Sequence, residues 1–287
     1  MTEATCPASC GELIQGWIAG SEKLVSCPIN WFSTVAVTSG NANASRERPL
    51  MRRALILALE TLGIPATESL HLKIDYDSDI PVAKGMASST ADIAATIAAT
   101  YRHFKSSISE HKIARMCVQL EPSDSTMFGD LTLFDHHTGA VTERYGEFGD
   151  LDILVLESPV TIDTSAYHEI VREHKLIQSA DALSKAAQQL ALAIKRRQNT
   201  TLGIAATASA IESQAILPKP YFTELLELVE KYDLYGLNVA HSGSAVGLFY
   251  HTAVHDIERV IYDITHSPVH DAYTQAHQRQ LIAGGIR

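Results

Sequence analysis

Residues 81–92, PVAKGMASSTAD, bring a glycine-containing loop, a lysine and two adjacent hydroxyls to the mouth of a long alanine-rich run. That run is expected to be helix, so the loop delivers the chain to a helix N-terminus. The first N–H groups of a helix lack carbonyl partners, and its dipole presents the positive end there. Together they make a seat for phosphate. Ser88 and Ser89 add hydroxyls that donate to phosphate or ligate Mg2+, and Lys84 adds a positive charge. Lys84, Gly85, Met86, Ala87, Ser88, Ser89 and Thr90 are therefore the expected phosphate-binding residues. The segment is not a P-loop, which needs Gly-x4-Gly-Lys-Ser/Thr, nor a Gly-x-Gly-x-x-Gly dinucleotide turn. The alternative reading of the same residues is a core helix that Ser88 merely caps.

The elements around this loop alternate in type. Segments 2–6 and 24–38 read as strands, and CPASCGELIQG between them reads as a loop or tight turn rich in Gly, Pro and small polar residues. Pro49 opens and Gly63 closes a helix over 49–62. Residues 69–76 alternate as a half-buried strand with Leu70, Leu72, Ile74 and Tyr76 on one face. The helix after the phosphate loop runs to about Phe104, its small residues suited to close packing on a sheet. A second helix over 109–120 takes Ser109 as N-cap. LTLFD and AVTERY form a hairpin around 136–139, with His136 and His137 facing solvent, and 151–157 is a buried strand. Helices are expected over 165–198, 201–216, 221–231 and near 254–264. A Gly/Ser-rich loop and a strand precede the last. The change of texture near residue 150 marks a boundary between domains 1–148 and 149–287.

The chain has 287 residues, 46% apolar and 20% charged, enough for a large globular core. Its net charge of −10 argues against general nucleic-acid or anionic-membrane binding. No 18-residue apolar run is present, so no membrane partner is expected. The first ten residues lack a basic and an apolar region, so a cytoplasmic location is expected, with Cys6, Cys10, Cys27 and Cys117 as reduced thiols. His251 and His255 share an i, i+4 spacing without the Glu of a zinc protease.

Three separated segments, Pro7-Ala8-Ser9-Cys10-Gly11-Glu12, residues 81–92, and His241-Ser242-Gly243-Ser244-Ala245-Val246-Gly247, together resemble the three motifs of the GHMP small-molecule kinases. Pro81, Gly85, Ser88, Ser89 and Ala91 fall where that family has P-x-x-x-G-L-G-S-S-x-A; Ala83 and Ala87 replace its usual glycines. CGELIQG, KGMASSTAD and EPSDSTMF look like the L-threonine kinase branch, which serves cobalamin side-chain synthesis. The resemblance implies an α+β, two-domain fold: an N-terminal ribosomal-S5-like α/β domain and a C-terminal ferredoxin-like α+β domain. It implies ATP and Mg2+ as cofactors and L-threonine as the small-molecule acceptor; homoserine or another small alcohol, or a catalytically silent nucleotide binder, are the alternatives. It also implies Asp124 as catalytic proton acceptor and Ser89 with Glu121 as metal ligands, with Glu110 an alternative to Glu121. Glu12 would pair with the substrate ammonium, and Ser9, Cys10, Ser242 and Gly243 would edge the substrate pocket. For the substrate carboxylate, Lys84, Arg115 and backbone N–H groups all remain candidates, and the oligomeric state is unread.

Overall fold

The structure, a computed structural model, describes residues 2–162 and 171–287. Among the described residues, nine strands form one antiparallel sheet: β1 (Glu3–Ile18), β2 (Ser21–Ser39), β3 (Leu72–Ser78), β4 (Leu131–Phe134), β5 (Val141–Gly146), β6 (Asp152–Glu157), β7 (Gly236–Val239), β8 (Val246–Tyr250) and β9 (Gln275–Gln280). Their order is β5-β4-β2-β1-β7-β8-β6-β9, with β3 also paired to β2. The two long strands β1 and β2 are therefore the middle of the sheet, and Glu12 opposite Val239 joins the N-terminal strands to the C-terminal ones.

The described helices are α1 (Met51–Thr61), α2 (Ser88–His103), α3 (Glu110–Leu120), α4 (Glu173–Gln178), α5 (Ala180–Arg196), α6 (Asn199–Ser213), α7 (Phe222–Lys231), α8 (Ile257–Thr265) and α9 (Val269–Ala272). α2 is buried almost all round against β1, β2 and α1. Its alanines permit that close approach. Its inward polar groups are satisfied within the helix, Thr96 Oγ1 donating to Asp92 O (2.6 Å) and Thr100 Oγ1 to Thr96 O (2.8 Å). Ser109 caps α3 as expected, its side chain accepting from Lys112 N. α5 and α6 cover β1, where Leu183 packs over Gly16 and Ser209 Oγ accepts from Gln15 N (3.0 Å). The chain ends meet, Thr5 and Arg287 exchanging both backbone hydrogen bonds.

Four sequence expectations change, and one strand appears that none of them named. The loop expected at 6–16 is strand: β1 continues through it with register shifts at Pro7/Ala8, Ser9/Glu12 and Glu12/Ile14. These bulges hide the alternation that marks a strand. Gly11 adopts φ +56°, and a Cβ there would lie 2.4 Å from Val239 O, so the residues that looked like turn formers permit strand-on-strand approach. Leu70 is not on the β3 face but in a 3-10 turn, Ala66–His71, where it is exposed. The helix expected over 165–198 is two helices meeting at Ser179, and residues 163–170 lie outside the described residues. β9, QAHQRQ, was not expected. As an edge strand it carries no alternating apolar signal. His136, expected to face solvent, is buried.

Candidate functional site

The N-terminus of α2 opens onto a cleft of about 590 Å3. The loop before it holds Ala83, Gly85 and Ala87 at φ +59°, +75° and +57°. Left-handed residues alternating with their neighbours turn successive N–H groups toward one side, which makes an anion-binding concavity. Ala87 O accepts from Ala91 N (2.8 Å), so helical bonding starts there. The opening N–H groups of Ser88, Ser89 and Thr90 have no carbonyl of their own helix to bond. All three residues line the cleft, as do Gly85, Met86 and Ala87.

Lys84 does not join them. Its Nζ is buried and donates to Ser158 O (2.6 Å) and Val160 O (3.1 Å). Its carbonyl accepts from Ser244 N (3.0 Å) and Ala245 N (3.1 Å). The expected phosphate cation is thus a tie between the phosphate loop, the third motif and residues 158–160. Gly85 lies where a Cβ would stand 2.5 Å from Ala240 Cβ and 2.9 Å from Gly243 Cα, so the second and third motifs touch through their backbones.

Asp124 lines the same cleft and is tied to it from two elements. Ser26 Oγ on β2 donates to Oδ1 (3.2 Å), and Asp124 N donates to Thr90 Oγ1 on α2 (3.2 Å). Loss of water around the carboxyl, then the charges of Glu12 and Glu121, push its pKa up to about 8, with Ser26 and Thr90 opposing. A carboxylate tuned toward neutrality is a stronger proton acceptor than an ordinary one. Glu121 lies across the opening of α2. Burial and the Asp92 charge raise its pKa, and the Ser89 hydroxyl beside it holds it down. The alternative Glu110 is elsewhere, accepting from Gly129 N (2.8 Å) and paired with Arg144 (3.0 Å) outside the cleft.

Of the substrate-side expectations, Glu12 and Ser242 line the cleft. Glu12 is buried, and its Oε2 accepts from His241 N (2.9 Å) and lies 2.8 Å from His241 Nδ1. Ser9 and Cys10 are buried behind it. Ser9 Oγ accepts from Cys27 N (2.9 Å), Ser9 N donates to Met86 O (3.1 Å), and Cys10 O accepts from Asn238 Nδ2 (2.5 Å). They join the first motif to β2, β7 and the phosphate loop instead of edging a pocket. Gly243 O accepts from Lys219 Nζ (2.8 Å), a buried lysine whose pKa falls to about 7 through desolvation, opposed by Glu12. Arg115, exposed on α3, packs against the Gly139 turn and not in the cleft. All four cysteines are free thiols, and all four are buried.

Sequence reading missed Arg48, Asp92, Gln15, His136 and Lys219. Arg48 Nη1 pairs with Asp92 Oδ2 (2.8 Å) and Nη2 donates to Ser78 O (3.1 Å); Ser33 Oγ donates to Asp92 Oδ1 (2.5 Å). Asp92 was legible in principle, standing four residues after Ser88 and so on the same helix face. Nothing local marked the others.

The second motif region falls within a match to the GHMP kinases N-terminal domain over residues 50–132. The chain is 50% identical over 284 residues to an L-threonine kinase of Salmonella typhimurium strain LT2, covering 99% of this chain and 94% of that one. It is 48% identical over 286 residues to an L-threonine kinase of Citrobacter freundii, covering 100% and 99%. The chain belongs to the L-threonine kinase family of GHMP kinases. Solved structures share the fold at low identity. Mevalonate diphosphate decarboxylase from Staphylococcus aureus superposes with a TM-score of 0.73 at 15% identity, covering 99% of this chain and 96% of that one. Mevalonate kinase of Methanococcus jannaschii gives 0.66 at 14%, covering 98% of each. The family is one of ATP-dependent phosphotransferases, and its two-domain α+β fold agrees with the mixed sheet-and-helix architecture above. Among the described residues no helix is long and apolar enough to cross a membrane.

Proposed function

We propose that this protein transfers the γ-phosphoryl group of ATP to the side-chain hydroxyl of L-threonine, giving O-phospho-L-threonine and ADP. The observation that carries the reading is Asp124, a carboxylate of raised pKa, in one cleft with the hydroxyl-rich N-terminus of α2. The relatives named L-threonine kinase, about half identical over almost the whole chain, support the choice of acceptor.

Phosphoryl transfer is mostly positioning and charge neutralisation. The N–H groups of Ser88, Ser89 and Thr90 and the loop at Gly85–Ala87 receive the phosphates. The apolar flank formed by Pro49, Leu50 and Val82 suits the nucleotide base. The hard oxygens of Ser89 and Glu121 fit Mg2+, and the raised pKa of Glu121 marks a carboxylate that a cation would re-ionise. Mg2+ held there would offset charge on the phosphates. Asp124 accepts the hydroxyl proton as the threonine oxygen bonds to the γ-phosphorus and the bond to the departing ADP oxygen breaks. Glu12 serves the acceptor's ammonium, and domains 1–148 and 149–287 meet at the cleft. A silent binder would have no use for a proton acceptor of this kind. The family resemblance is what supports a cytoplasmic location and a supply of phosphothreonine for the cobalamin linker.

The test is ADP release with Mg2+ and ATP over a panel of L-threonine, L-homoserine, L-serine, D-threonine, mevalonate and galactose. Turnover is expected with L-threonine above the rest. Preference for another member would move the acceptor, and silence across the panel would refute the reading.

A further inference from the structure

A threonine whose hydroxyl meets Asp124 carries its ammonium on the adjacent carbon, so the acid that receives it has little latitude. A misplacement of about 1 Å at a reacting centre costs on the order of 100-fold. Glu12 is held to match. Its carbonyl accepts from Asn238 Nδ2 (3.3 Å), and it pairs across the sheet with Val239. Those contacts fix the main chain and leave the side chain able to turn.

His241 removes that freedom. Its backbone N (2.9 Å) and its Nδ1 (2.8 Å) close on one oxygen, Oε2. Beside a carboxylate oxygen, Nδ1 is the nitrogen that carries the proton and donates. Behind the ring, Nε2 lies 3.5 Å from Ser209 Oγ on α6, and that hydroxyl accepts from Gln15 N (3.0 Å) on β1, which leaves its own hydrogen for Nε2. The Glu12 and His241 side chains are both 5% exposed, and a donor to a carboxylate is worth more in such surroundings than in water. Oε1 of Glu12 accepts no hydrogen bond among the described residues, yet it is not shut off from solvent, and Glu12 lines the cleft with Asp124. Lys219, a cation near Glu12, is spent on Gly243 O (2.8 Å) and Leu217 O (3.4 Å) and lies outside the cleft lining. One oxygen of Glu12 is thus committed to the third motif, and the other is left to the acceptor.

We propose that His241 is a positioning residue for acceptor recognition: it locks Oε2 of Glu12 so that Oε1 meets the ammonium of an α-amino-acid acceptor. The proposal deepens the threonine kinase reading and rests on it.

The experiment compares L-threonine with (R)-3-hydroxybutyrate, the same molecule without its amino group, as substrate or competitive inhibitor. The proteins are the parent, His241→Phe, His241→Asn and His241→Gln. Phenylalanine keeps the ring and removes the donor. Losing a charge-assisted hydrogen bond that orients Glu12 implies a KM for L-threonine raised on the order of 10- to 100-fold, with kcat within about threefold. Asparagine carries an N–H at the position of Nδ1 and should restore KM to within about fivefold of the parent. Glutamine carries its N–H one bond farther out and should lose on the order of tenfold, so the asparagine–glutamine pair decides the matter if the phenylalanine variant does not fold. The constant for (R)-3-hydroxybutyrate should move less than about threefold in every variant, because that ligand has no ammonium for Glu12 to meet. Equal losses on both ligands, asparagine no better than glutamine, or a fall in kcat at unchanged KM would overturn the assignment and leave His241 a structural residue. Failure of the parent to phosphorylate L-threonine would overturn the kinase reading and this inference with it, and that result is in hand before any variant is made.

Discussion

Replacing Asp124 by Asn removes the proposed proton acceptor while keeping its shape. The free protein holds this carboxyl at a pKa of about 8, raised from 3.8 first by desolvation and then by Glu12 and Glu121. The basic form therefore appears as pH rises. About one tenth is ionised at pH 7 and about nine tenths at pH 9, so kcat/KM should climb roughly tenfold across that interval and then level. General-base catalysis is worth on the order of 10²- to 10⁴-fold, so Asp124→Asn should cut kcat by at least about 100-fold with little change in ATP binding. The pH limb should vanish with it. The neighbours give the sign independently. Ser26→Ala deletes a hydrogen bond that favours the ionised form and should move the limb to higher pH. Glu12→Gln deletes a repelling charge and should move it lower. The assay is initial-rate ADP release at limiting L-threonine from pH 6 to 10 at constant ionic strength. Asp124→Asn within tenfold of the parent, or retaining the limb, would refute the assignment of the base.

The remaining predictions concern the cation and the loops. Ser89→Ala and Glu121→Gln should each raise the Mg2+ concentration needed for half-maximal rate by roughly tenfold or more; a Mg2+ titration unchanged from the parent would count against both ligands. Gly85→Ala should destabilise by about 2–3 kcal/mol, since the φ of +75° is costly for any Cβ and Ala240 and Gly243 leave no room, whereas Ala83→Gly, at φ +59°, should gain about 0.5–1 kcal/mol; urea denaturation reads both. Lys84→Met should leave the Ser158 and Val160 carbonyls without their donor and lower stability by about 1–3 kcal/mol, with a smaller effect on KM for ATP than Ser88→Ala; the reverse ranking would return Lys84 to the phosphates.

The proposed phosphate seat was legible because its signal is local: a loop, hydroxyls and a helix all lie within twelve residues. Family motifs extended that to Asp124 and Glu12, which the fold brings to one cleft from separate elements. What stayed hidden depends on long-range placement. The role of Lys84 is set by carbonyls 74 and 76 positions away, which no motif encodes. Ser9 and Cys10 belong to the first motif but point into the sheet, because β1 runs as strand through bulges that read locally as loop. His136 read as a turn residue, yet the hairpin is folded inward against Glu22 and Arg172, whose segment lies 150 residues beyond Glu22. β9 is polar but for Ala276 and betrays itself through pairing with β6 alone.

The most direct test of the account is the identity of the phosphorylated product. Incubation of the purified protein with ATP, Mg2+ and L-threonine, followed by phosphorus NMR and mass spectrometry, should show one new phosphomonoester, O-phospho-L-threonine, formed in equal amount to ADP. ADP accompanied by inorganic phosphate alone, or by no phosphorylated amino acid, would contradict it.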